Sequence, residues 1–198
     1  MDTVPHPSTV TDEDLAAALA RDLDHAFERL VLAHQDRLYT IALRLLGDPR
    51  DAQEVAQDAL VRAYRAIAGY PAERIRTLAL RGWLAAIVVN LARNRYRRRP
   101  IATAALTADP SEPDRAAIPH EASALAETHR VWAELLASLP DRYRVPVVLR
   151  HVDGLSFAEM AAALGRPEGT LKAQVHRGLA LLRTAYLRTQ LPPEELSA

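Results

Sequence analysis

An all-α fold, arranged as two small helical domains joined by a flexible linker, is what this sequence predicts, on three observations. Apolar residues recur at spacings of three and four from Asp24 to Arg99. The same period returns between Leu139 and Leu187, interrupted there by a glycine-containing turn. Between them, Pro100 to Glu127 is rich in proline, alanine and acids and shows no helical stripe until about Ser123. The expected organisation is a disordered tail at 1–23, a helical domain at 24–99, the linker at 100–127, a second helical domain at 128–188 and a C-terminal tail at 189–198. At 198 residues in all, each domain is near the lower size at which a helical core sustains itself.

The elements follow in order. MDTVPHPSTVTDEDL combines proline, hydroxyl residues and acids, a composition that buries little and predicts disorder. AFERLVLAHQDRLYTIALRLLG is the first amphipathic helix. Gly47-Asp48-Pro49 ends it, because proline disfavours helical geometry in the residue before it, and Asp51 supports the N-terminus of the next helix, DAQEVAQDALVRAYRAI. Gly69 to Arg81 lacks a clean period and reads as a loop or short irregular helix. In RGWLAAIVVNLARNRYRRR, the spacing buries Trp83, Leu84, Ile87, Val88 and Leu91, turns Val89, Arg93, Tyr96 and Arg97 outward, and leaves Asn90 at the edge. An outward aromatic among arginines suits a nucleic acid.

The second domain opens with a supporting helix in LPDRYRVPVVLRHV. Ser156 then caps a short helix carrying Phe157, Met160, Ala161 and Leu164 on its buried side, and Gly165 stops it. After Gly165-Arg166-Pro167 the chain restarts near Gly169-Thr170, with Leu171, Val175, Leu179 and Leu182 on one face. At about 100° per residue, Ala173, His176 and Arg177 fall opposite, with Thr170, Lys172 and Gln174 on the flanks. This is a helix-turn-helix pattern. Its second helix enters the major groove by its N-terminal half, where Lys or Arg neutralises phosphate or bonds guanine and Gln pairs with adenine. The only lysine of the chain, Lys172, lies there.

The formal charge is zero, with 25 basic and 25 acidic residues, but it is segregated. Residues 1–23, 24–99, 100–127 and 128–198 carry −4, +6, −4 and +2. Two basic helical modules between acidic segments suit a protein that touches phosphate at two places without binding DNA indiscriminately. A linker of 28 residues reaches roughly 90 Å at about 3.3 Å per residue, enough to set two domains on sites tens of Å apart.

Both halves resemble the extracytoplasmic-function (ECF) sigma factors of the bacterial sigma-70 family. DAQEVAQDALVRAYRAI is similar to the helix that binds core polymerase, WLAAIVVNLARNRYRRR to the helix that melts and reads the minus-10 element, and residues 139–183 to the domain that reads the minus-35 element. The resemblance implies that Asp51, Glu54, Gln57 and Asp58 dock on the clamp helices of the polymerase large subunit. It places Asn90 where an unstacked promoter base is accommodated, with Arg93, Arg95, Arg97, Arg98 and Arg99 on phosphates and Tyr96 beside them. For the minus-35 duplex it implies Arg177 and Lys172 as leading contacts, Thr170, Gln174 and His176 as secondary ones, and Arg166 on the backbone. Ala173-Gln174 departs from the Ser-Arg often found there, removing one phosphate donor and one charge. The partners implied are bacterial core RNA polymerase, promoter DNA and an anti-sigma factor, and the linker is implied to thread near the polymerase active site.

Several classes are disfavoured by the residues. Seven histidines are dispersed with no metal-ligand pair, the seven glycines form neither a P-loop nor a dinucleotide fingerprint, and no serine sits in a nucleophile elbow. The expectation is a protein that is not an enzyme, takes no cofactor, metal or small-molecule substrate, and does not insert in a membrane. Cysteine is absent, which permits a reducing cytoplasm and excludes a thiol switch within the chain. The rival reading is a conventional helix-turn-helix regulator that binds its operator without polymerase.

Overall fold

A computed structural model of the chain describes residues 11–98 and 131–190, and among these residues every regular element is a helix. The expected linker, 100–127, and the end of the C-terminal tail lie outside the described residues.

The first helix, α1 (Asp12–Arg21), falls where a disordered tail was expected. The Thr11 hydroxyl accepts the Asp14 N–H while the Asp14 carboxylate accepts the Thr11 N–H, closing a capping box, and three acids in the first turn complement the helix dipole. Leu15 and Leu19, one turn apart, are buried as α1 packs on α2 (Leu23–Leu46) and α4 (Ala72–Arg76). The composition argument failed because one buried edge suffices to hold so short a helix. At the other end, the last helix runs through residues 189 and 190, into the expected tail.

α2 ends at Gly47, whose φ of 74° needs a residue without a Cβ, and α3 (Pro49–Ala68) begins at once with Pro49 in its first turn. The cap of α3 is Asp48, whose Oδ1 accepts the Asp51 N–H at 2.8 Å, and Asp51 supports this helix end as an acid in the first turn rather than as the cap. α3 buries Ala52, Ala56, Ala59 and Ala63 with Val55 and Ile67 as it packs against α2 and α5 (Leu80–Arg98). The short α4 matches the irregular helix expected between Gly69 and Arg81.

The second unit contains a helix over 131–137 (α6), then α7 (Asp141–His151), α8 (Phe157–Leu164) and α9 (Glu168–Gln190). Ser156 and Glu159 form the capping box of α8, and Gly165, at φ 63°, closes it. The buried face of α9 is Leu171, Val175, Gly178 and Leu182, while Leu179 is 41% exposed. Gly178 replaces the expected leucine because α7 passes too close for a side chain. Trp132 of α6 stacks on Tyr186 of α9 with centroids 6.2 Å apart.

The two units meet, α5 against α8 and α2 against α7. Val89, expected to face outward, is fully buried for this reason: with Ala92, Arg93 and Tyr96 it lines a crevice whose other wall is Asp141, Arg144 and Val145 of α7. The polar centre of the contact is Asp153, whose side chain is wholly enclosed. Arg37 grips its carboxylate with Nε on Oδ1 and with Nη2 on Oδ2 at 2.6 Å, and the same Nη2 also donates to the Arg81 carbonyl at 2.9 Å. Arg81 Nη2 donates to the Asp153 carbonyl at 2.7 Å.

His34, 4% exposed, lies beside this cluster with its Nε2 3.5 Å from the Asp12 carboxylate. Burial pushes its pKa below the ordinary 6.5; Arg37 and Arg81 push the same way, and Asp12 and Asp153 oppose. The fold therefore holds the ring neutral while the unfolded chain protonates near 6.5. Stability is unaffected above that pH and falls below it, by at most about 1.4 kcal/mol per pH unit, until the folded ring is protonated too. Thermal melts of the full chain from pH 7.5 to 5.5 should show a falling Tm, and His34→Gln should flatten the decline.

Candidate nucleic-acid interface

Three helical faces carry the candidate residues. On α3, Glu54, Gln57 and Asp58 are exposed and Asp51 is half-buried. The outer side of the helix also exposes Val61 and Tyr64, whose hydroxyl donates to Asp24 Oδ1 at 2.7 Å and whose pKa that bond raises. Acidic and apolar side chains thus share one accessible surface.

On α5, Asn90 is exposed, and with Arg93, Asn94 and Arg97 it lines an open groove whose remaining wall is Asp141 of α7. Arg93 is half-buried, and its pKa is lowered by burial first and then by the guanidinium of Arg166, against the pull of Asp141. Tyr96 is half-exposed, with the Arg144 guanidinium 5.3 Å from its ring centre. Arg97 donates to Asn94. Arg98 is the last described residue of the helix, and Arg99 lies beyond it.

Arg95 stands elsewhere than its neighbours. Its Nε and Nη2 bind Asp51 Oδ1 at 2.8 and 2.6 Å, and its Nη1 binds Glu54 Oε2 at 2.6 Å. These carboxylates raise its pKa. Two residues expected to face polymerase and one expected to face DNA are therefore joined within the molecule, tying α3 to α5. Sequence spacing misses this, because the partners are 44 and 41 positions apart.

On α9, Thr170, Lys172, His176 and Arg177 are exposed, and Gln174 and Arg166 are half-buried, with Arg166 Nη1 donating to Gln174 Oε1 at 3.4 Å. Lys172 pairs with Glu168 at 3.5 Å and lies over the Phe157 ring. All six residues expected to read the duplex lie on α9 or the turn before it, away from the Leu171, Val175, Gly178 and Leu182 face. The helix presents donors, an amide and two cationic side chains along one side, the groups that a major groove accepts.

Arg37, Arg81, Asp153 and Arg144 were not anticipated. The first three join segments up to 116 residues apart, beyond the reach of local periodicity. Among the described residues, no group of histidines and acids could hold a metal ion, and no helix is long and apolar enough to cross a membrane.

Comparison with known proteins places both units. The Sigma-70 region 2 family model matches residues 30–100, and the Sigma-70 region 4 model matches residues 129–182. The chain is 30% identical over 167 residues to the ECF RNA polymerase sigma factor SigW of Bacillus subtilis, covering 80% of this chain and 87% of that protein. It is 34% identical over 164 residues to the ECF RNA polymerase sigma factor SigE of Mycolicibacterium smegmatis, covering 80% of this chain and 60% of that longer protein. Among solved structures, CnrH in complex with the cytosolic domain of CnrY shares the fold with a TM-score of 0.68 and 27% identity, over 91% of this chain and 99% of that one. The two matched regions, in this order on two helical units, show that the chain belongs to the sigma-70 family, as one of the ECF sigma factors that bind core RNA polymerase and direct promoter-specific initiation.

Proposed function

We propose that this ECF sigma factor divides its work among three helices. The exposed side of α3, with Glu54, Gln57 and Asp58, docks on core RNA polymerase. α5 reads and helps melt the minus-10 element, with Asn90 receiving an unstacked base and Arg93, Arg97 and Arg98 holding phosphates beside Tyr96. α9 reads the minus-35 duplex through Arg177 and Lys172, assisted by Thr170, Gln174, His176 and Arg166. The observation that carries this reading is the match of the two sigma regions to two basic helical units, each presenting polar side chains on an accessible face. Arg95 is assigned to the α3–α5 tie rather than to phosphate.

The chain performs no bond chemistry in this role; it supplies binding, orientation and discrimination, and the polymerase supplies catalysis. Its work is in the bacterial cytoplasm, where polymerase is. An anti-sigma factor is the further partner implied by the family, and the complex of CnrH with a CnrY domain supports a protein that binds this fold.

Run-off transcription with bacterial core polymerase on a library of promoter-length duplexes tests the assignment. Defined transcript starts should appear only when the chain is added. Absence of starts together with tight, sequence-specific duplex binding by the chain alone would favour the conventional regulator. On the promoter so found, Arg177→Ala should weaken minus-35-dependent initiation by about 1–3 kcal/mol if the guanidinium makes a bidentate base contact. An equal loss on a scrambled minus-35 element would assign Arg177 to phosphate.

A further inference from the structure

We propose that Glu168 is a specificity-determining residue of the minus-35 reader, and that with Lys172 it reads the major-groove edge of one G·C base pair, the carboxylate accepting from cytosine and the ammonium donating to guanine. This rests on the functional reading above.

Position and chemistry single the side chain out. Glu168 is the first residue of α9, exposed, and the only acid in that helix. A recognition helix puts its N-terminal residues against the base edges. A carboxylate there is repelled by the phosphates that border the groove, and it can only accept hydrogen bonds. It gains nothing from guanine or thymine, whose major-groove polar atoms also accept. Cytosine N4 is a donor that suits it.

Lys172 stands one turn further along, with its Nζ 3.5 Å from Glu168 Oε2. A G·C pair offers a similar spacing: guanine O6 and cytosine N4 are hydrogen-bonded to each other, about 2.9 Å apart, and both face the groove. The two side chains thus present a donor and an acceptor in register with an acceptor and a donor. Guanine adds N7 beside O6 as a second acceptor for the ammonium, whereas thymine offers O4 alone and a methyl group.

The pair is arranged before DNA arrives. The Phe157 ring of α8 backs Lys172, its centre 5.6 Å from Nζ, and the Arg150 guanidinium lies 5.1 Å from the same ring. A lysine held between a carboxylate and an aromatic ring has less freedom to lose when it binds. An acid in the first turn also stabilises its helix, and a Glu–Lys pair one turn apart does the same. Those contributions are equal on every DNA sequence, so base preference separates the two roles.

Run-off transcription by the full chain with core polymerase, on promoters carrying each base pair at each minus-35 position, makes the test. The parent should prefer G·C at one position by about fivefold or more. Glu168→Gln should flatten that preference and admit adenine in place of cytosine, because an amide pairs with adenine N6 and N7, while the other positions keep theirs. Lys172→Ala should flatten the same position. Glu168→Ala, relieved of phosphate repulsion, should lose the preference and bind scrambled duplex severalfold more tightly than the parent. A Glu168→Gln profile that matches the parent at every position, or an equal loss on all promoters, would overturn the proposal. So would effects of Glu168→Gln and Lys172→Ala at different positions. A parent chain that yields no defined starts would refute the functional reading, and this inference with it.

Discussion

Gly178→Val is expected to unfold the second helical unit and abolish minus-35-dependent transcription. A Cβ at this position would stand 2.6 Å from Val147 Cγ2 and 3.4 Å from both the Cβ and the carbonyl oxygen of Tyr143. Two effects oppose each other in the milder Gly178→Ala. Alanine gains about 1 kcal/mol of helix propensity over glycine. Overpacking a tight contact costs about 1–3 kcal/mol, and the neighbouring backbone oxygen leaves Val147 as the only group able to yield. The net should be destabilising for alanine and severe for valine. Removing the obstacle reverses the sign: Gly178→Ala combined with Val147→Ala should recover much of the loss, a coupling that a double-mutant cycle measures directly. Trp132 fluorescence in a Trp83→Phe background follows unfolding of this unit, since those are the two tryptophans of the chain. Additive losses from the two substitutions would refute the close approach of α7 and α9.

Ala59→Leu should have the largest effect in the first unit. Ala59 is fully buried on the α3 face that also buries Ala52, Ala56 and Ala63, at spacings of four, three and four. Small side chains let α3 lie close to its neighbours, and three extra carbons force off-rotamer packing or separate the helices. A loss of about 1–3 kcal/mol corresponds to a Tm lower by about 5–20 °C for a unit of this size. Gln53→Leu, on the exposed side of the same helix, should change stability by less than about 0.5 kcal/mol. Comparable melting of Ala59→Leu and the parent would show that α3 packs more loosely than its alanines indicate.

Much of this architecture was legible because helical period is a local signal. Leu30, Leu38 and Ile41 in α2, Leu84 and Val88 in α5, and Leu171 and Val175 in α9 are buried where spacing puts them. Turn chemistry was legible too, at Gly47, Ser156 and Gly165. The misses share a physical origin in distant chain. Val89 faces away from its own unit's core, as its spacing says, and is buried by the other unit. Gly178 is a core position that contributes no apolar atoms, so a search for apolar residues selects Leu179. α1 was readable in Thr11 and Asp14 with Leu15 and Leu19, but the composition around it masked that signal. The polar residues of α3, α5 and α9 could be singled out by type, whereas the tie of Arg95 to α3 and the enclosure of Asp153 depend on pairings that no window of sequence contains.

The bridge from Arg95 to Asp51 and Glu54 bears on how such factors can be recombined. A chimaera that imports α3 from a relative to change polymerase preference, while keeping its own α5, imports half of an ion-paired seam. If the donor helix lacks acids at positions 51 and 54, the arginine loses both carboxylates and becomes a loose cation beside the groups of α5 proposed to hold promoter DNA. Polymerase preference and promoter affinity would then shift together in a graft meant to alter one. Transplants that carry position 95 along with α3 should keep the two properties separable.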